Sequence, residues 1–168
     1  MDIATSQLIR SAVTKTVGVP VLPGGTLELP QLLRCLVLTW SDERLALLQS
    51  AAEVESWEVT TDLDPREFIR NLWREQGPLA FVDLPELGST AYVSFQEAVT
   101  RSAEMGNVLV IVCGQAGAFT EEIWARSLGV WAYLPGDNGV EGFKCLFRDA
   151  RQALARQAMT YVELDSYQ

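Results

Sequence analysis

Cys113 closes the apolar run Val108-Leu-Val-Ile-Val-Cys113 and stands directly before Gly114-Gln115-Ala116-Gly117, a setting in which a thiol could act as a nucleophile. The attacking species is the thiolate, which needs a neighbouring base or cation to lower its pKa. This chain has no histidine, and its two lysines, Lys15 and Lys144, are not near Cys113 in sequence. Cys113 therefore reads as a core cysteine. The missing histidine also removes Ser-His-Asp and Cys-His catalysis, His-ligated metals and the commonest general acid–base group. Val21-Leu-Pro-Gly-Gly-Thr26 is rich in glycine, but it lacks the Gly-Lys-Ser/Thr ending of a phosphate loop and follows no clear strand, so it reads as a turn. No catalytic residue, metal site or cofactor is expected from these features.

The elements that would position any site come from the periodicity. Short apolar runs predict strands near 35–40, 57–62, 79–84, 108–113 and 130–134, each followed by an amphipathic stretch. Ser41 with Asp42 and Glu43 opens the first helix, which carries Leu45, Leu47, Leu48, Ala51 and Ala52 inward. Asp64-Pro65-Arg66-Glu67 starts the second, with Phe68, Ile69, Leu72 and Trp73 on one side. Ser94 to Glu97 forms a capping box for the third, Thr120 caps the fourth, and Asn138 with Glu141 caps the fifth. Strand–helix alternation with short connections implies a parallel sheet covered on both faces by helices. The expected organisation is an arm over residues 1–33, an α/β domain over 34–158 and a tail over 159–168 that frays from about Thr160.

Composition limits the setting. At 168 residues, 48% hydrophobic and 21% charged, the chain is an ordinary globular length and composition. Its apolar runs are too short to span a bilayer, and the N-terminal Met-Asp-Ile-Ala-Thr-Ser lacks the basic and apolar regions of a secretory signal. Cys35, Cys113 and Cys145, odd in number and inside apolar stretches, suit buried reduced thiols and a cytoplasmic location. A net charge of −9 repels phosphate backbones, so no nucleic-acid partner is expected, and no membrane.

From Arg34 to Arg156 the element order and several strand-end residues resemble the receiver domains of bacterial response regulators. Phe81-Val82-Asp83-Leu84-Pro85 looks like the segment that ends in the phosphate-accepting aspartate, with Asp83 at the matching place. Cys113, about thirty residues on, falls where the family has Ser or Thr, and Gly129 to Leu134 resembles the stretch that carries the family's aromatic residue, here Tyr133. The resemblance implies a flavodoxin-like three-layer αβα fold with strand order 2-1-3-4-5. It also implies what this chain lacks. Receivers hold magnesium with an acidic pair after the first strand, where this chain has Thr39 and Trp40, then Ser41, before Asp42 on the helix. They also carry a lysine at the end of the fifth strand, where this chain has Leu134-Pro135-Gly136-Asp137. Metal and lysine neutralise the anionic oxygens brought together in phosphoryl transfer. Without them Asp83 reads as a structural acceptor inside a vestigial pocket of Thr39, Trp40, Ser41, Asp42 and Cys113.

Two functions compete. The first is a receiver-like signalling and protein-interaction module without Asp phosphorylation, working with a protein partner of unknown identity or as a homodimer. The alternative is a flavodoxin-like protein with a ligand or cofactor at the C-terminal strand ends, where Thr39-Trp-Ser-Asp42 would occupy the phosphate-loop position but lacks glycine. Dimerising receivers often use the fourth helix, fifth strand and fifth helix. Here Glu121, Glu122 and Asp137, with Trp124 and Trp131, would face Lys144, Arg148 and Arg151, a row at i, i+4 and i+7. Reversing Arg148 and Arg151 would then weaken self-association without unfolding the domain.

Overall fold

Short runs rich in Val, Leu and Ile, bounded by capping residues or glycine, set where the chain extends. In the computed structural model, which describes residues 32–136 and 138–165, these runs form β1 (Leu33–Leu38), β2 (Trp57–Asp62), β3 (Leu79–Asp83), β4 (Leu109–Gly114) and β5 (Ala132–Pro135). Between and after them lie α1 (Asp42–Val54), α2 (Pro65–Glu75), α3 (Tyr92–Glu104), α4 (Phe119–Ser127) and α5 (Val140–Asp165). All strand pairs are parallel, as the alternation predicts, in the order β2-β1-β3-β4-β5 that the resemblance implies. The register sets Leu38 beside Val82, Asp83 beside Cys113 and Gly114 beside Pro135. The C-terminal ends of β1, β3, β4 and β5 therefore come together at one edge of the sheet.

Side chains alternate across a strand, so each run feeds two cores. Leu36, Leu38, Val82 and Val112 turn toward Phe68 of α2 and Phe95 of α3. Cys35, Val37, Phe81 and Ile111 turn toward Leu48 of α1 and Phe143 and Phe147 of α5. Truncating a fully buried phenylalanine such as Phe81 or Phe143 removes about 3–5 kcal/mol, so either core decides whether the domain folds.

Two of the five caps form as the sequence predicts. Ser41 accepts from the Arg44 amide at 3.1 Å, and Asp64 accepts from Arg66 and Glu67 at 2.7 and 3.1 Å with Pro65 behind it. The other three do not. α3 begins at Tyr92, ahead of Ser94, whose hydroxyl donates back to the Ala91 carbonyl at 2.8 Å. α4 begins at Phe119, ahead of Thr120, and Ala118 gives it no side-chain cap. Asn138 donates to the Gly136 carbonyl at 3.4 Å, and α5 starts at Val140. At α3 and α4 the first turn is set by burial of Tyr92 and Glu121, and tertiary contact overrides the local capping pattern.

Two burial expectations are also corrected. Trp73 is exposed, because Phe68, Ile69 and Leu72 complete the inward stripe and the next residue turns about 100° away. Cys145 is exposed for the same reason, lying two positions from Phe143 on a helix whose inward stripe is Phe143, Phe147 and Ala150. The backbone of α5 is helical through Asp165, and residues 166–168 of the expected tail lie outside the described residues. Of the arm expected over residues 1–33, positions 1–31 lie outside the described residues.

Candidate functional site

Asp83 leaves β3 at the sheet edge, and its two carboxylate oxygens are taken by different neighbours. Thr39, just past the end of β1, donates to Oδ2 at 2.8 Å while its own oxygen accepts from the Ser41 amide at 3.0 Å. The guanidinium of Arg44 lies against Oδ1, with Nε at 3.1 Å. Arg44 comes from the first turn of α1, and the Ser41 cap fixes that turn over the strand ends. Its Nη1 reaches across to the Cys113 sulfur at 2.9 Å and the Gly136 carbonyl at 3.4 Å. One cation thus ties α1 to β3, β4 and the turn after β5. The ion-paired side chains are 15% and 13% exposed, so the pair is screened far less than a surface bridge.

Trp40 occupies the next position of the expected acidic pair. Its indole N–H donates to the Leu63 carbonyl at 2.8 Å, and its ring meets Phe95 edge-on at 5.1 Å. Where receivers carry a carboxylate, this chain therefore has a partly exposed aromatic side chain that bridges two loops and a core residue. Asp42 is exposed in the first turn of α1, where it complements the helix dipole. Cys113 is fully buried and its thiol approaches the Gly136 carbonyl at 3.7 Å. Trp40, Ser41, Arg44, Asp83, Glu86 and Gln115 line a cleft of about 780 Å³ at this edge. Among the described residues no group of three or more His, Cys, Asp or Glu side chains is placed to hold a metal ion.

A second polar cluster lies beside the cleft. Glu121, buried in the first turn of α4, accepts from Tyr92 at 2.5 Å, Tyr133 at 2.8 Å and the Gln115 amide at 3.2 Å. Gly114 makes room for it. A Cβ there would lie 1.9 Å from the carboxylate and 2.2 Å from the Tyr133 hydroxyl. Burial, then the hydrogen bonds to Glu121, push both tyrosines well above their usual range, and burial does the same to the Cys35 thiol. A group whose folded-state pKa is raised stabilises the fold fully below its unfolded value and less as pH rises beyond it. Stability is therefore expected to hold to about pH 8.5, where an unfolded thiol ionises, and to decline more steeply above about pH 10, where unfolded tyrosines follow. Urea titrations from pH 7 to 11 would measure this; a flat profile would contradict the buried placement.

Arg44 did not stand out as a site residue in the sequence, and Glu121 stood out only as an interface residue, though a signal existed for the first. Arg44 precedes Leu48 by four positions and so lies on the inward stripe of α1. Glu121 carries no such mark. It was expected on an exposed acidic patch, and instead it faces the interior.

The other expected interface residues that the structure describes have partners within the domain or lean against its cores. Glu122 pairs with Arg126 at 2.8 Å and Lys144 with Glu141 at 2.7 Å. Trp124 leans on the α2–α3 core, whereas Trp131 leans on the α1–α5 core. Arg148 pairs with Glu55 at 2.6 Å, and Arg151 donates to the Glu55 and Ser56 carbonyls and lies over Trp57 at 5.9 Å. Both arginines therefore fasten α5 to the end of α1, and reversing them would strain contacts within the domain, contrary to the effect expected from sequence. Asp137 lies outside the described residues.

No family model matches the chain, and no curated protein matches it. Solved structures do. The signal receiver domain of a putative Luxo repressor protein from Vibrio parahaemolyticus superposes with a TM-score of 0.64 at 14% identity, covering 76% of this chain and 95% of that one. This chain has the receiver fold. A CheY-like receiver domain protein from Methanospirillum hungatei gives 0.62 at 16% identity over 77% and 98% of the two chains. An orphan response regulator of H. pylori gives 0.58 at 15% identity over 73% and 96%. Asp83, the last residue of β3, stands opposite Cys113, the next-to-last residue of β4. Among the described residues no helix is long and apolar enough to cross a membrane.

Proposed function

We propose that this domain is a receiver-like signalling module in which Asp83 no longer accepts a phosphoryl group and which acts through protein contact. The observation that carries this reading is the double occupation of the Asp83 carboxylate by Thr39 and Arg44. A carboxylate that accepts a phosphoryl group must present a free oxygen in line with the donor, with cations placed to stabilise the transferring oxygens. Arg44 lies on the oxygen itself, and Trp40 stands where a second carboxylate would help to hold magnesium. Incubation with a small-molecule phosphodonor and magnesium is expected to leave the intact mass unchanged. A stable adduct at Asp83, or its trapping by a phosphoryl analogue, would overturn the proposal.

A module without phosphorylation has only its surfaces with which to transmit a signal. We place the contact on α4, where Phe119 and Ile123 lie one turn apart and are 75% and 68% exposed. Apolar side chains in that position suit a protein partner, including a second copy of this chain. Phe119→Ser with Ile123→Ser is expected to abolish self-association or partner capture while leaving the unfolding midpoint within experimental error. Light scattering showing a monomer at high micromolar concentration would limit the reading to a different protein partner.

A further inference from the structure

We infer that Arg44 is a latch on the floor of the strand-end cleft: only when its guanidinium swings out does Cys113 face the cleft and Asp83, which already lines it, lose its cation. The inference rests on the reading of Asp83 as unphosphorylated and adds how that site is regulated. Three observations support it. The guanidinium contacts a carboxylate, a thiol and a carbonyl from three separate segments, at 3.1, 2.9 and 3.4 Å. It lies at the wall of a cleft of about 780 Å³, so there is space for the side chain to move into. Cys113 is fully buried although it sits at the end of its strand, next to lining residues Gly114, Gln115 and Gly136. An arginine stem is long and has several rotatable bonds, and its planar fork can grip several acceptors or leave them together. The closed state neutralises Asp83 from within the chain, whereas the open state presents a carboxylate and a thiol to whatever enters the cleft.

Thiol labelling tests the latch, because a second buried thiol supplies an internal control. In a Cys145→Ser background, which removes the exposed thiol, Cys113 and Cys35 are each 0% exposed but lie in different places. Cys35 sits on β1, away from the cleft lining, and becomes reactive only when the domain as a whole opens. The protein is exposed to an aromatic disulfide reagent under native conditions, and each site is followed by peptide mass mapping. Arg44→Ala is expected to speed labelling of Cys113 by at least about tenfold relative to Cys35, a ratio that general destabilisation would not change. Millimolar ethylguanidinium should slow Cys113 again without affecting Cys35, by refilling the vacated position. Arg44→Lys, which keeps one point charge but cannot bridge all three acceptors, should fall between parent and alanine variant, and it carries the test if the alanine variant does not fold. Equal acceleration at both cysteines, or no acceleration at Cys113, would overturn the latch. Failure of the underlying reading would show separately, as a phosphoryl adduct on the parent protein.

Discussion

Asp83→Ala is expected to cost the domain about 3 kcal/mol, far more than removal of a carboxylate from a loop would. Removing one partner of a shielded ion pair strands the other, and for fully buried pairs the loss is about 3–5 kcal/mol. Here the partner is Arg44, held under its neighbours at 15% exposure. Water reaches the cleft side of the pair, which places the effect at the low end of that range. Thr39 loses its acceptor as well, a loss of about 1 kcal/mol that is included in the total of about 3 kcal/mol. Asp83→Asn keeps an oxygen for the guanidinium and an amide that can donate to the Thr39 hydroxyl, so it should cost about 1 kcal/mol and preserve the protein's biological activity. Urea midpoints for Asp83→Ala, Arg44→Ala and the variant carrying both would close a double-mutant cycle, with a coupling of about 1–3 kcal/mol expected between positions 44 and 83. Parent-like stability of Asp83→Ala would mean that the bridge behaves as an exposed surface pair.

The second large effect belongs to Glu121→Ala, expected to remove about 3 kcal/mol. The carboxylate is the shared acceptor of two buried phenols and one amide, and each donor left without a partner costs about 1–3 kcal/mol, less where water enters the new space. Glu121→Gln fills the same volume, and a tyrosine hydroxyl can turn to accept from its amide, so about 1 kcal/mol is expected. Gly114→Ala attacks the same cluster from the strand side. Its Cβ would meet the carboxylate at 1.9 Å and the Tyr133 hydroxyl at 2.2 Å, so both groups would have to shift and the hydrogen bond between them would be disturbed. If Glu121→Ala and Gly114→Ala destabilise independently and add in full, the two residues do not share one cluster.

Parallel pairing was legible because it follows from periodicity and connection length, which are local and repetitive signals, whereas the strand order came from the resemblance to receivers. The site was legible only in part. Asp83 and Cys113 could be placed because each ends an apolar run, and the sheet register brings run ends together. Arg44 escaped notice because a charged residue one turn into a capped helix reads as solvated. Only the closed fold shows that this turn hangs over the strand ends. Glu121 was misplaced for a related reason. Acidic residues in a first turn complement the helix dipole whether they point outward or inward, and the two phenols that draw it inward come from α3 and β5, 29 and 12 residues away. The α5 arginines looked like an open basic row because nothing local announces that Glu55 and the carbonyls at the end of α1 lie opposite them.

The indole of Trp40 makes the route from this site to a metal-binding one uphill at its first step. A carboxylate at position 40 would give up the hydrogen bond to Leu63 and the ring contact with Phe95, and it would stand in a cleft whose existing anion already has its cation. Removing Arg44 first would leave Asp83 without that cation and still without a second acid beside it. Neither change yields a pair of free carboxylates until the other is in place, so an acidic pair at this site takes both substitutions together. On that account positions 40, 44 and 83 should vary as a set among descendants of this sequence, while neighbouring exposed positions such as Asp42 and Glu43 drift freely.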